Sequence, residues 1–465
     1  MAMPRSPRKR PNLIVILIDD LRFDETGVTG HPYMKTPHID RLATEGALFT
    51  NAFHTTPLCS PNRASIATGQ YASRHGIYDN VGRDALSHAL PNYHLELQRL
   101  GYETAHIGKW HMGNDARPRP GYDTWISFRG QGAIVDPVFW ENGGERQVPG
   151  YVTDLLSARA VDFVDRDRAR PFALFLSHKA VHPDVQQQQD GTIDMSTMKG
   201  YVLPDRHRDL YLGAHYPMRP NVRPLEEVVA DKPVWRDVFA RRAAHRANQA
   251  LTQTLRGSAQ EEIRKRAAMM ASVDEGVGAL LDGLERRGIA DDTLILFLGD
   301  NGFFFGEHGL EAERRFAYEE GIRTPFFVRW PARVKPGTRV DAMVLALDIA
   351  PTMLELGGGA AGPHVQGRSL VPLLDGRPRR WRTRFLVEYF NESAFPWLVG
   401  MGYKAIRTER HKLIRWTHRD GVDELYDLER DPYEMTNVIG DPAHAATLTR
   451  LRRELRALVA DAAGL

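Results

Sequence analysis

Short apolar runs punctuate this chain at wide intervals: Leu13 to Ile18, Thr104 to Ile107, Phe172 to Ser177, Thr293 to Leu298 and Pro325 to Arg329. They are too short for typical helices, and their apolar residues fall at successive positions, the pattern of strands covered on both faces. Between them, helical spacing covers Ile39 to Glu45, Tyr93 to Leu100, Val152 to Val164 and Glu261 to Arg287, the last closed by Gly288. This alternation predicts an α/β fold with a large, mostly parallel central sheet covered by helices. Ligands of such sheets gather beyond the carboxyl ends of the strands.

After Pro372 the texture changes. Arg384 to Tyr389, Tyr403 to Thr408 and His411 to Trp416 read as a smaller antiparallel sheet, followed by a helix from about Ala445 to Ala462. A boundary near Gly376 then divides a larger domain, residues 1–375, from a C-terminal α+β subdomain, residues 376–465. The interval Asp184 to Asn248 breaks the alternation with a polar tract, Gln186 to Gln189, and with Pro204, Pro217, Pro220, Pro224 and Pro233. It reads as a long irregular insertion near the pocket. Arg206, His207, Arg208 and Tyr211 are its candidates for substrate contact.

Charge changes little in this picture. Lys and Arg number 61 against 59 Asp and Glu, interspersed, so neither nucleic acid nor a membrane surface is an expected partner. The basic segment Met1 to Arg10 precedes an apolar run that is short, lacks a small-residue cleavage site and ends in Asp19-Asp20. It therefore reads as a strand rather than a secretion signal, and a cytoplasmic location is expected. No stretch is apolar for long enough to span a bilayer. With one cysteine, an internal disulfide is excluded.

That cysteine, Cys59, stands in Pro57-Leu58-Cys59-Ser60-Pro61-Asn62-Arg63-Ala64-Ser65. Ser60 and Pro61 read as the cap and first position of a helix, so Cys59 faces amide groups of the kind that bind anions. Arg63, one turn on, adds a fixed cation. A lone buried thiol is also an ordinary small hydrophobe, and both readings stand at this point. Asp19-Asp20 ends the first strand and Asp300-Asn301 follows the strand Thr293 to Gly299. Adjacent carboxylates repel unless a cation neutralises them, and oxygen ligands select hard divalent ions. The same dipeptides also form turns. In Gly108-Lys109-Trp110-His111-Met112-Gly113, an extended backbone points Lys109 and His111 the same way.

Cys59-Ser60-Pro61-Asn62-Arg63 matches the C-x-P-x-R signature of the type I sulfatases, and the chain resembles that family of the alkaline phosphatase superfamily from end to end. The resemblance extends through the G-K-W-H-x-G segment at Gly108 and through Ser177-His178-Lys179-Ala180-Val181-His182-Pro183. It continues in Gly299-Asp300-Asn301-Gly302, Gly306-Glu307-His308-Gly309 and Tyr318-Glu319-Glu320-Gly321-Ile322-Arg323-Thr324-Pro325. It implies an alkaline phosphatase-like fold and conversion of Cys59 to formylglycine by a maturation enzyme. It also implies a divalent metal, calcium first with magnesium or manganese as alternatives, held by Asp19, Asp20, Asp300, Asn301 and the side chain at 59.

The same resemblance gives Arg63 and Lys109 to the sulfate group, His111 to the formylglycine hydroxyl, and His182 to the sulfate and leaving-group oxygen. His178 and Lys179 receive no firm role. Four residues before Tyr318 the family carries a lysine where this chain has Arg314, which keeps the charge but is a poor proton donor. The neighbouring Arg315 is the other claimant. In the implied reaction one hydroxyl of the formylglycine hydrate attacks sulfur, and deprotonation of the second later expels sulfate.

The run from Tyr403 to Pro432 resembles the tail of carbohydrate sulfatases, including those acting on glucosamine 6-sulfate, so a saccharide or small-molecule sulfate ester is the expected substrate. A phosphonate monoester or phosphodiester hydrolase using the same site is the alternative, with Asn80 a pocket residue in either case. A non-catalytic anion-binding protein with unmodified Cys59 is a third reading. Homo-oligomerisation is left open.

Overall fold

The first apolar run is β1 (Asn12–Ile18), and it lies inside an eight-stranded sheet. The computed structural model describes residues 10–244, 258–377 and 380–464. The basic positions 1–9 and the last four positions of the anticipated insertion, 245–248, lie outside the described residues. The other strands are β2 (Ala47–Phe49), β3 (Glu103–Gly108), β4 (Thr124–Ile126), β5 (Phe172–His178), β6 (Thr293–Gly299), β7 (Phe326–Arg329) and β8 (Thr338–Val340). Their order is β8-β2-β7-β6-β1-β5-β3-β4, and within this sheet β7 alone runs against the rest.

Side chains of β1 alternate between two buried layers, as the pleat requires. Ile14, Ile16 and Ile18 pack into the layer that holds Ile39 and Leu42 of α1 (Pro37–Thr44). Two further helices serve that layer, α4 (Val152–Val164) through Leu156 and Ala160 and α5 (Ala259–Arg286) through Met270 and Val273. Leu13, Val15 and Leu17 face the opposite layer with Ile66 of α2 (Cys59–Thr68) and Tyr93 and Leu97 of α3 (Tyr93–Arg99). Each such aliphatic side chain contributes about 1.5–3 kcal/mol on burial, so the double coverage fixes the register of β1. Ser258 caps α5 by accepting from the Glu261 amide.

Register decides where the chemistry emerges. Ile18 lies opposite Gly299 on one side and His178 on the other, and Gly108 lies opposite Ser177. Asp19, Asp300, Lys109 and Lys179 therefore leave the sheet at one edge. Gly108 adopts φ +119°, and a Cβ there would sit 1.9 Å from the Ser177 carbonyl oxygen. Only glycine lets β3 deliver Lys109 so close to β5.

The C-terminal sheet is antiparallel and has four strands, Arg384–Tyr389, Tyr403–Thr408, His411–Trp416 and Glu424–Asp427. Three had been anticipated; the fourth is short and charged at both ends, yet wholly buried. Leu451 and Leu455 of α6 (Ala445–Ala463) share its core with Phe53, Leu58, Phe316 and Tyr318. The insertion is less irregular than its prolines suggested. Pro224 and Pro233 precede the helices Leu225–Asp231 and Trp235–Ala244 rather than interrupting them, and Trp235 is buried against Phe316 and Trp416. None of the described helices is long and apolar enough to cross a membrane.

Candidate active site

Cys59 is the first residue of α2, not the residue before it: Leu58 occupies the cap position in an extended conformation. The expected cap, Ser60, is displaced because an acceptor arrives from outside the helix. Asn80 Oδ1 takes the Ser60 amide at 3.1 Å, and the Ser60 hydroxyl turns to the His111 carbonyl. The helix begins beside the carboxyl end of β1, with Cys59 fully buried and its Sγ 3.6 Å from Asp19 Oδ1.

Ligating atoms of Asp19, Asp20, Cys59 and Asp300 all lie within 4.8 Å of one another. Asn301 donates to Asp20 Oδ1 at 2.8 Å, which leaves its own Oδ1 buried without a partner; Asp20 Oδ2 is likewise unpartnered. Burial, and then the charge of Asp19, push the Asp300 carboxyl up to about 7. Burial also raises Asp20, whereas at Asp19 it is outweighed by Lys109, His182 and Arg63, which hold that carboxyl well below its usual range. Three crowded carboxylates with orphaned oxygens fit a hard divalent cation. Burial, with Asp300 and Asp19 beside it, drives the Cys59 thiol well above its ordinary pKa, opposite to what a thiolate nucleophile needs.

Cations surround this cluster. Arg63 Nε contacts Asp300 Oδ2 at 2.8 Å and its Nη1 donates to the Lys109 carbonyl and Ser177 Oγ, while Nη2 remains buried and without a hydrogen-bond partner. Lys109 Nζ pairs with Asp19 and donates to Gln131 Oε1 at 2.6 Å. Arg314 Nη1 reaches Asp20 Oδ1 at 3.0 Å and Cys59 Sγ at 3.8 Å. Arg315 turns away to Glu313 and Glu392, which settles which arginine faces the cluster.

His182 donates through Nδ1 to the Pro183 carbonyl at 2.8 Å, leaving Nε2 4.0 Å from Asp20 Oδ2. His111 Nε2 meets Gln187 Oε1 at 2.7 Å. Burial lowers both imidazoles well below their usual pKa. His178 is buried with neither ring nitrogen hydrogen-bonded, and Lys179 donates to the Gln131 carbonyl at 2.9 Å.

The pocket above the cluster is lined by Asn80, Gln131, His182, Gln187, Arg314, Phe395 and Trp397, among others. Asn80 is thus a pocket residue as expected. The insertion contributes Val185, Gln187, Ile193, Tyr201 and Arg242, but not the four residues singled out from sequence. Arg206 and His207 pair with Glu275 of α5, Arg206 also with Asp154 of α4, Arg208 with Asp205 of its own segment, and Tyr211 accepts from the Lys35 amide. Gln131 and Gln187 were missed. Their one sequence signal was the flanking glycines of Gly130-Gln131-Gly132 and the glutamine tract itself.

The family model described as Sulfatase matches residues 11–359. The chain belongs to the sulfatase family. A second model, described as the C-terminal region of N-sulphoglucosamine sulphohydrolase, matches residues 306–461 of this sulfatase. It is 31% identical to an N-acetylglucosamine-6-O-sulfatase of Bacteroides thetaiotaomicron, over 94% of this chain and 84% of that one. A solved structure of a protein in complex with its substrate D-glucosamine-2-N,6-O-disulfate superposes with a TM-score of 0.82 at 28% identity, covering 98% of each chain. The phosphonate monoester hydrolase of Agrobacterium radiobacter shares the fold, with a TM-score of 0.76 at 23% identity over 97% and 96% of the chains. This sulfatase is therefore a sulfuric ester hydrolase, and its buried acidic cluster suits a divalent metal.

Proposed function

We propose that this sulfatase removes sulfate from a saccharide, with a glucosamine 6-sulfate unit the favoured substrate class, using formylglycine made from Cys59 and a calcium ion. The observation that carries the reading is the convergence of Cys59, three carboxylates and three cations beneath one pocket. The relatives that act on sulfated glucosamine support the choice of sugar, as do Phe395 and Trp397, apolar faces of the kind on which sugar rings stack.

In this reading Asp19, Asp20, Asp300 and Asn301 hold the metal with the side chain at 59. The metal supplies Lewis acidity, and the formylglycine hydrate supplies two hydroxyls, one for attack and one for later release. Arg63, through an Nη2 that makes no hydrogen bond and lies 3.7 Å from Asp19 Oδ1, and Lys109 and Arg314 bind the sulfate oxygens and offset charge as sulfur is attacked. His182 presents Nε2 toward the leaving oxygen. Neutral in the resting site, it gains a proton more readily once the anionic substrate is present, and then donates it to the departing alcohol. His111 accepts the proton from the second hydroxyl. Catalysis belongs to residues 1–375, and residues 376–465 lend one wall of the pocket. A formylglycine-generating enzyme is the maturation partner.

The test uses protein co-produced with such an enzyme and compares kcat/KM on an aryl sulfate with matched aryl phosphonate and phosphodiester esters, then on sulfated N-acetylglucosamine. Sulfate preference by several orders of magnitude supports the reading, and preference for the phosphorus esters overturns it. Cys59→Ala abolishes turnover if residue 59 is the nucleophile.

A further inference from the structure

The glutamine tract of the insertion reaches into the site. Gln187 Oε1 lies 2.7 Å from His111 Nε2 and 3.2 Å from Gln131 Nε2, and Gln187 Nε2 donates to the Gly191 carbonyl at 2.8 Å. Gln131 Oε1 in turn accepts from Lys109 Nζ at 2.6 Å. Amide and imidazole atoms are ambiguous taken singly, but both ends of this chain are not. An ammonium group can only donate and a carbonyl oxygen can only accept. Lys109 therefore orients the Gln131 amide with its oxygen toward the lysine and its nitrogen toward Gln187. Gly191 orients the Gln187 amide with its nitrogen outward and its oxygen toward His111.

An oxygen so fixed needs a donor from His111. With Nε2 bare, two lone pairs would face each other at hydrogen-bond distance; with Nε2 protonated the contact is a bond. The remaining nitrogen, Nδ1, is buried and has no hydrogen-bond partner. We propose that Gln187 is a positioning residue that holds His111 as the Nε2–H tautomer, with Nδ1 as its basic atom, and that Gln131 and Gly191 set the orientation of Gln187. Gln186 and Gln189 anchor the same strip to the body of the molecule through the Gly132 and Gly82 carbonyls. Lys109 and His111 are thereby joined by a polar chain that runs through the insertion rather than along their own segment. The assignment of Nδ1 as the atom that accepts the proton of the second hydroxyl rests on the proposed role of His111; the tautomer does not.

Two variants and two readouts separate these statements. Gln187→Met fills the space of the glutamine without an acceptor, and Gln187→Glu keeps the acceptor. In protein retaining the Cys59 thiol, with isotope-labelled imidazole nitrogens, the His111 resonances are assigned by their loss in His111→Asn. The expected wild-type pair is a protonated Nε2 and a bare Nδ1; Gln187→Met shifts it toward the other tautomer and Gln187→Glu restores it. An unchanged pair in a Gln187→Met protein that unfolds at the wild-type temperature overturns the proposal. In matured enzyme, Gln187→Met is expected to lower kcat about 10- to 100-fold with KM falling alongside, so that kcat/KM changes little, and with a burst of released phenol before slow turnover. Gln187→Glu is expected to recover most of that rate. A shifted tautomer with unchanged kcat supports the assignment of Gln187 and instead removes His111 from its role as base.

Discussion

Arg314 lies against Cys59, Nη1 to Sγ 3.8 Å, while the next residue, Arg315, points the other way into a buried pair with Glu313 and Glu392. Two adjacent arginines thus have unlike duties. Arg314→Ala should lower kcat/KM on the order of 10²–10³ with little loss of stability, whereas Arg314→Lys, which keeps the charge, should retain much of the rate. Arg315→Ala strands two buried carboxylates and should cost about 3–5 kcal/mol of stability. Paired kinetic and urea-unfolding measurements on the three variants check the division.

His182 should matter in proportion to how poor the leaving group is. Arg314 is a poor proton donor to a departing alcohol, because, against the cost of burial, the Asp20 carboxylate drives its pKa even higher than usual. His182→Asn is therefore expected to lose about 10²–10⁴ in rate on alkyl or sugar sulfates. On an aryl sulfate with an acidic phenol the loss should be much smaller. A Brønsted plot across leaving groups, steeper in the variant, is the measurement.

Metal removal should destabilise the fold as well as stop turnover. The unpaired oxygens of Asp20 and Asn301 and the raised pKa of Asp300 mark groups that a bound cation would stabilise. Calcium at a hundred times its dissociation constant is expected to add about 2.7 kcal/mol to unfolding. A chelator should reverse the gain, and Asp300→Asn should blunt it. Thermal unfolding across a calcium titration reads this directly.

Lys179 predicts a dependence of stability on alkaline pH. Burial, and then the charge of Lys109, lower its pKa from an ordinary 10.5 to about 8. Between those values the unfolded chain holds more protons than the folded one, so stability rises with pH. Below pH 8 the buried ammonium carries a penalty on the order of 3 kcal/mol. Lys179→Met should therefore be more stable than wild type at neutral pH, and the gap should close as pH climbs through 8 toward 10.5. Urea midpoints of both proteins across that range supply the check.

Much of this was legible in the sequence, for reasons specific to particular residues. β1, β5 and β6 declare themselves because strands buried on both faces must be apolar at nearly every position, and Asp19 and Asp300 are conspicuous by ending such runs. Other features depend on contacts between segments far apart in the chain. That Asn80 would take over the Ser60 amide, or that Arg314 rather than Arg315 would face Cys59, turns on where loops fall after folding. Gln187 looked like part of a soluble tract because nothing local in a glutamine announces that its oxygen will meet a histidine 76 residues earlier. Arg206 and its neighbours misled in the opposite sense: a cluster of charge in an insertion was simply pairing with the helices beneath it.

Asp20 donates its amide to Asp300 across 280 residues of sequence. A ribosome delivers Cys59 and the first carboxylates early, and the strand that completes their enclosure only after most of the polypeptide has emerged. In the folded chain Cys59 is fully buried, and the pairing of β6 with β1 is part of what encloses it. For the proposed conversion of Cys59 to formylglycine, access to the thiol before β6 pairs with β1 is then the condition that matters.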